Sequence, residues 1–269
     1  MALNRLSPSI AAARESEDPR LTVRIIGVCN FRCPACSTFS SPERKGLLPL
    51  SELKQIIDIL VRENFHGALH FSGGETTLHP DLKDMVTLAA RDLRNSRIVV
   101  FTNGDWVGAP GWTGRLQGLF AEANVLVRFS LDRQHAVGKS KALFGHVREK
   151  TVADVEKERL EQARSFLAAC LALRVKPGLN FDFAFKGTLD EAKKYMRLLG
   201  DVPVYPIQFQ KSPARRPKHM GTMAVDLDSD GRARVFVTLG HIPRGEALGG
   251  IQTLPLALRM NRRALRASA

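Results

Sequence analysis

Short β-branched apolar runs alternate with amphipathic stretches along most of the chain. Four runs read as strands from their Val, Ile and Phe content and the turn residues that bound them: 22–28, 67–72, 98–101 and 125–131. Leu53, Ile56, Ile57 and Leu60 recur at helical spacing, so a helix is expected from Ser51, as its N-cap, to about Glu63. Leu82, Met85, Val86 and Ala89 mark a second helix, with Pro80 at its first position. Further helices are expected over 112–122, 151–173 and 189–199, and further strands near 178–185 and 203–210. Strands alternating with helices in this way imply a parallel sheet. The segment 133–150 reads as a long, basic, irregular loop, and loops of that length are often functional.

Beyond 210 the pattern changes. Residues 211–222 form a Pro-rich basic linker, and 223–238 read as a β-hairpin turning at Asp230-Gly231. A basic helix is expected over 251–267. The organisation expected is therefore an arm (1–20), an α/β core (21–210) and a C-terminal extension (211–269) that contains no cysteine.

Composition narrows the class. The 269 residues carry a formal net charge of +13, which suits either an anionic partner or a solvated basic surface. Only two Trp and two Tyr are present, which argues against nucleic acid as a stacking partner. No run approaches the roughly 18 apolar residues of a membrane span, and residues 1–20 lack an apolar signal core. The expected compartment is the cytoplasm, with no membrane partner.

Three of the four cysteines, Cys29, Cys33 and Cys36, stand in a C-x3-C-x2-C spacing directly after the first strand. The carboxyl end of a strand is where α/β folds gather their sites. Three thiolates on one loop can hold a metal or cluster and leave one coordination position open. A structural zinc site is the competing reading, with His66, His70 or His79 as fourth ligand.

Three further fragments follow in order: Ser72-Gly-Gly-Glu75, Thr102-Asn-Gly104 and Ser130-Leu-Asp132. With the cysteine spacing, they resemble the radical S-adenosylmethionine (SAM) superfamily over about residues 22–210. The resemblance implies an α/β partial (βα)6 TIM-like barrel, here with a short extension of β-hairpin plus helix. It implies a [4Fe-4S] cluster on Cys29, Cys33 and Cys36, with SAM as the second cofactor. Gly73, Gly74, Glu75, Ser130, Asp132 and Asn103 become the expected SAM-binding residues. Reductive cleavage of SAM would give a 5′-deoxyadenosyl radical that abstracts a hydrogen atom from substrate. An electron donor such as a flavodoxin or ferredoxin is implied as partner.

The substrate expected is a small molecule (a sugar or nucleoside) or a short peptide of specialised metabolism. Basic residues of 133–150 and Arg215, Arg216, Lys218 and His219 would contact it if it is anionic. Two alternatives stand beside this: an activase or modifier of a protein or RNA, and a non-catalytic zinc or iron–sulfur binding module. His135, just past Asp132, is a candidate acid–base or substrate contact. Cys170 is a candidate hydrogen-atom donor, set against the ordinary reading of a small core residue.

Overall fold

The computed structural model describes residues 19–34, 36, 38–143, 151–182, 198–199, 208–210, 222–227, 233–238, 247–249, 251–256 and 258–259. Six strands run parallel in the order of the sequence: β1 (Arg20–Ile26), β2 (Ala68–Gly73), β3 (Arg97–Thr102), β4 (Val125–Ser130), β5 (Lys176–Asp182) and β6 (Gln208–Gln210). The expected α/β partial barrel is thus observed. The extension adds to the same sheet. β7 (Thr222–Leu227) pairs parallel with β1, and β8 (Ala233–Thr238) pairs antiparallel with β7, forming the expected hairpin. β9 (Ala247–Gly249), which the sequence reading did not anticipate, extends the sheet antiparallel to β8. The sheet order is β6-β5-β4-β3-β2-β1-β7-β8-β9, so the described sheet ends on β6 and β9 and does not close.

Helices α1 (Leu50–Arg62), α2 (Leu82–Asp92), α3 (Trp112–Phe120), α4 (Arg133–Leu143) and α5 (Val152–Ala172) connect the strands. The N-cap of α1 is Pro49 in extended conformation, not Ser51. The helix thus begins two residues earlier than expected, entered through the fixed φ of proline (−61°). Likewise Pro80 stands before the N-cap, Asp81, and not inside α2. Thr151 and Asp154 form a capping box at the start of α5. The largest difference is α4. The stretch 133–143 is helical and packs on α5, where a loop was expected. The remainder of that stretch, 144–150, lies outside the described residues, as do residues 1–18, 211–221 and most of the expected 189–199 and 251–267 helices.

The sheet has two different faces. Leu21, Val23, Ile25, Leu69, Phe71, Ile98, Val100, Val125, Val127 and Phe129 join Ile56, Leu60, Met85, Leu116, Ala163 and Phe166 of the helices in one apolar core. The alternate positions face the barrel interior. Register places Thr22 beside His70, His70 beside Val99, and Phe101 beside Arg128 on that side.

His70 is 2% exposed, with its ring 5.3 Å from that of Phe101. Burial first, then the charges of Arg128, Arg20 and Arg97, hold its imidazole well below the ordinary range. It is neutral when folded but takes up a proton near pH ~6.5 when unfolded. Its contribution is therefore full above about pH 6.5 and is lost as pH falls below it, by up to about 1.4 kcal/mol per pH unit. His70→Gln is expected to flatten the fall in urea stability below that pH. Equal slopes in the two proteins would contradict this assignment.

Candidate functional site

The cysteine loop leaves β1 at a register irregularity between Arg24 and Ile26, which re-aims the chain at the sheet's carboxyl edge. Its base is tied shut. Gly27 N donates to Gly46 O (2.8 Å), Cys29 N to Ser41 O (3.1 Å) and Leu48 N to Ile25 O (2.8 Å). Within the loop Cys36 N donates to Cys33 O at 3.3 Å, so the second and third cysteines share one turn.

All three cysteines are free and half-buried. The sulfurs of Cys29 and Cys36 receive donors from the protein. Phe31 N reaches Cys29 Sγ (3.4 Å), Ser40 N reaches Cys36 Sγ (3.3 Å), and Asn103 Nδ2 lies 3.8 Å from Cys29 Sγ. Burial pushes the Cys29 thiol up to about 12, against the Phe31 N–H, and neighbouring Glu75 and Cys36 charges add to the rise. Burial also raises Cys33, helped by Cys29, Asp132 and Cys36. Thiols in such a site need a cationic partner to ionise.

The Gly73-Gly74-Glu75 segment is fastened to this loop through its backbone. Gly74 N donates to Ile26 O at 2.7 Å and Glu75 N to Val28 O at 3.0 Å. Gly73 has φ +126°, and a Cβ at either glycine would run into the Ile26 or Val28 carbonyl. The absence of side chains there is thus required by the chain's own backbone before any ligand is considered.

Glu75 is 2% exposed. Its Oε1 accepts from Thr77 N (3.1 Å), Thr77 Oγ1 (2.6 Å) and Thr102 Oγ1 (2.6 Å), and its Oε2 from Asn103 N (2.6 Å). Burial pushes the carboxyl up, while these donors pull it down. The side chain staples the end of β2 to the end of β3.

Asn103 lies where the sequence placed it. Besides Cys29, its amide donates to Asn30 Oδ1 (2.7 Å). Asn30 in turn donates to Asp105 (2.8 Å), and Lys139 pairs with both Asp105 (2.8 Å) and Glu158 (2.7 Å). This polar chain links the cysteine loop, the β3 loop, α4 and α5. Lys139, expected in a basic loop facing substrate, is instead 4% exposed inside that chain.

Ser130 closes β4, but Asp132 lies beyond the strand, so the expected alternation on one strand face does not extend to it. Its Oδ1 accepts from His135 N (3.0 Å) and contacts His135 Nδ1 (2.7 Å). Asp132 therefore caps the first turn of α4 and orients His135 at the same time. On the next turn Gly138 O accepts from Arg32 N at 3.0 Å. A Cβ on Gly138 would stand 2.5 Å from Cys33 Sγ and 2.8 Å from Cys33 N. The helix absent from the sequence reading is thus one wall of the cysteine loop.

Arg159 of α5 is a second participant that sequence reasoning missed. It is 1% exposed and donates to the Asn103 and Ser130 carbonyls. Its guanidinium lies 5.2 Å from the Phe31 ring and 5.1 Å from the Phe129 ring. Among the described residues its Nε and Nη1 have no hydrogen-bond partner. Cys170, by contrast, is fully buried in the apolar core on α5, and burial alone raises its thiol to about 12. The structure does not bring it to the cysteine loop.

The histidines that a zinc site would need are elsewhere. His79 Nε2 contacts Leu48 O (3.1 Å) and its Nδ1 accepts from Asp81 N (3.1 Å). His66 is exposed ahead of β2, at the opposite edge of the sheet, and His70 lies within β2 against Phe101. Three soft sulfur donors, those of Cys29 and Cys36 met by N–H groups, with no fourth protein ligand beside them among the described residues, fit an iron–sulfur cluster that keeps one open position.

The model of the radical SAM superfamily matches residues 23–157, half of the chain. The chain belongs to the radical SAM superfamily, whose cofactors are a [4Fe-4S] cluster and SAM. It is 28% identical over 189 residues to GTP 3',8-cyclase of Synechococcus elongatus, covering 68% of this chain and 52% of that protein. Over 76 residues it is 29% identical to the antilisterial bacteriocin subtilosin biosynthesis protein AlbA of Bacillus subtilis, covering 28% of this chain and 16% of that one. Among solved structures it is similar to BtrN in complex with AdoMet and 2-DOIA, with TM-score 0.49 and 16% identity over 93% of this chain and 89% of that one. The chain spans about half the length of the Synechococcus relative. Among the described residues no helix is long and apolar enough to cross a membrane.

Proposed function

We propose that the protein is a radical SAM enzyme acting on a small molecule or a short peptide. Cys29, Cys33 and Cys36 hold the cluster, and Gly73, Gly74, Glu75, Asn103, Ser130 and Asp132 surround SAM. The observation that carries this is the set of three thiols on one closed loop, with protein N–H groups directed at Cys29 and Cys36 and the Gly-Gly-Glu backbone fastened beneath. When bound, the two cofactors together supply hydrogen-atom abstraction at an unactivated carbon.

The chain's own part is to hold and orient. Phe31, Ser40 and Asn103 donate to sulfur, which stabilises thiolate over thiol. Glu75 Oε2 accepts one bond in the structure, and a carboxylate oxygen has room for a second donor, such as the SAM ammonium. Asp132 keeps His135 in place at the mouth of the site, where it can hold or pass a proton at Nδ1 or Nε2. Cys170 keeps a packing role.

The relatives named above include a cyclase of GTP and a bacteriocin biosynthesis protein, which supports the small-molecule and peptide branches over a macromolecular substrate. A reducible cluster on thiolates suits the cytoplasm, and a flavodoxin or ferredoxin suits the need for an electron. Residues 21–210 form the catalytic core in this reading.

Metal analysis tests it. After anaerobic reconstitution the protein is expected to hold about four irons with matching sulfide, and Cys33→Ala to lose most of both. One zinc per chain, unchanged by that substitution, would return the binding-module reading.

A further inference from the structure

Arg159 carries a buried charge. It is 1% exposed, and none of the ion pairs among the described residues includes it. Its Nη2 donates to the Asn103 and Ser130 carbonyls, while Nε and Nη1 stay buried without an acceptor among the described residues. Taking a charge out of water is expensive, so a buried cation normally has an anionic partner. The nearby carboxylates are already engaged: Asp132 with His135, Asp105 with Asn30 and Lys139, and Glu75 with four donors. We propose that Arg159 is the counter-cation of the cysteine loop. Its guanidinium balances the negative charge gathered by the three thiolates, and so holds up the reduction potential of the cluster they carry. It acts through the sulfur ligands and is a positioning residue. The inference rests on the enzyme reading above.

Placement, need and seclusion carry it. The guanidinium is held 5.2 Å from the ring of Phe31, two residues before Cys33, and 5.1 Å from that of Phe129. One of its acceptors belongs to Asn103, whose amide lies 3.8 Å from Cys29 Sγ. Cys33 is the sulfur that needs a cation. Cys29 and Cys36 each meet a backbone N–H, whereas among the described residues no hydrogen-bond donor meets Cys33 Sγ. Arg159 lies close enough to Cys33 for its charge to act on that sulfur. The two rings and the burial keep the charge out of water, where it acts most strongly. A guanidinium cannot escape that setting by releasing its proton. The potential of an iron–sulfur cluster follows the net charge around it. Reduction adds a negative charge, so a fixed cation beside the ligands favours the reduced state and its removal disfavours it.

The test is a redox titration of the anaerobically reconstituted protein, with the reduced cluster read by electron paramagnetic resonance. SAM is left out, so that a contact with SAM cannot produce the result. Arg159→Gln and Arg159→Met are expected to shift the midpoint to a more negative potential. Arg159→Lys, which keeps the charge, should stay near the wild type. So should Lys157→Gln, which removes an exposed cation from the same helix. Iron content and circular dichroism are read on the same samples. Neutral variants that load the cluster at the wild-type potential overturn the inference, as does a lysine variant shifted as far as the glutamine one. Should both neutral variants fail to fold or to load, Arg159→Lys decides. Full iron at the wild-type potential supports a role of charge, and a folded lysine variant without iron shows that the shape of the guanidinium matters and overturns it. A wild type that holds no cluster sinks the enzyme reading and this inference together, whereas a loaded wild type whose neutral variants share its potential sinks this inference alone.

Discussion

Gly138→Ala is expected to cost the protein most of its iron while leaving it folded. The added methyl would stand 2.5 Å from Cys33 Sγ, 2.8 Å from Cys33 N and 2.9 Å from Cys33 Cα. The two nearest of those atoms are a prospective cluster ligand and its own backbone, so relief requires the loop to move. Within α4 itself the substitution is favourable, since Ala exceeds Gly in helix propensity by about 1 kcal/mol. Overpacking of about 1–3 kcal/mol opposes that gain. The net effect on thermal stability is therefore small, whereas cluster occupancy should drop severalfold. Gly114→Ala and Gly118→Ala on α3 are the controls, because nothing lies within 4 Å of a Cβ at either. They should retain full iron and gain up to about 1 kcal/mol each. Full iron in Gly138→Ala would show that α4 does not wall the loop.

Glu75→Gln should be the most destabilising single polar substitution in the site. The two carboxylate oxygens accept from Thr77 N, Thr77 Oγ1, Thr102 Oγ1 and Asn103 N. A glutamine must turn its NH2 either toward three donors or toward the Asn103 N–H. In either orientation a buried donor loses its acceptor, at about 1–3 kcal/mol, and charge assistance is lost as well. A drop of about 2–4 kcal/mol in urea unfolding is expected, with reduced SAM affinity in the loaded protein. A stability within about 0.5 kcal/mol of wild type would mean that Glu75 does not staple β2 to β3.

Much of the core was legible because its strands are buried and therefore apolar in runs. β2, β3 and β4 lie within a residue or two of their expected limits, and the cysteines fall on the loop after β1 as their spacing suggested. What was missed depends on tertiary contact. The stretch 133–143 has few apolar residues and a mid-helix glycine; it is helical because Asp132 caps it and Gly138 lets it close on Cys33. The chain Asn30–Asp105–Lys139–Glu158 joins residues up to 75 apart in sequence, which no local pattern reveals. Arg159 did leave a signal. It falls four residues after Val155 and four before Ala163, both buried, so a charge interrupts an apolar helical stripe. A charge in that position calls for a buried partner, and the carbonyls of Asn103 and Ser130 supply it. The Gly73-Gly74 pair was legible as a place of close approach, but what approaches in the structure is the backbone of Ile26 and Val28.

The most direct measurement is product formation from SAM. The reconstituted protein would be mixed anaerobically with SAM and a strong reductant, beside Cys33→Ala, and 5′-deoxyadenosine read by mass spectrometry. The account predicts 5′-deoxyadenosine from the wild type and none from the variant. A wild type with its full complement of iron that yields none, and whose electron paramagnetic resonance signal is indifferent to SAM, would contradict it.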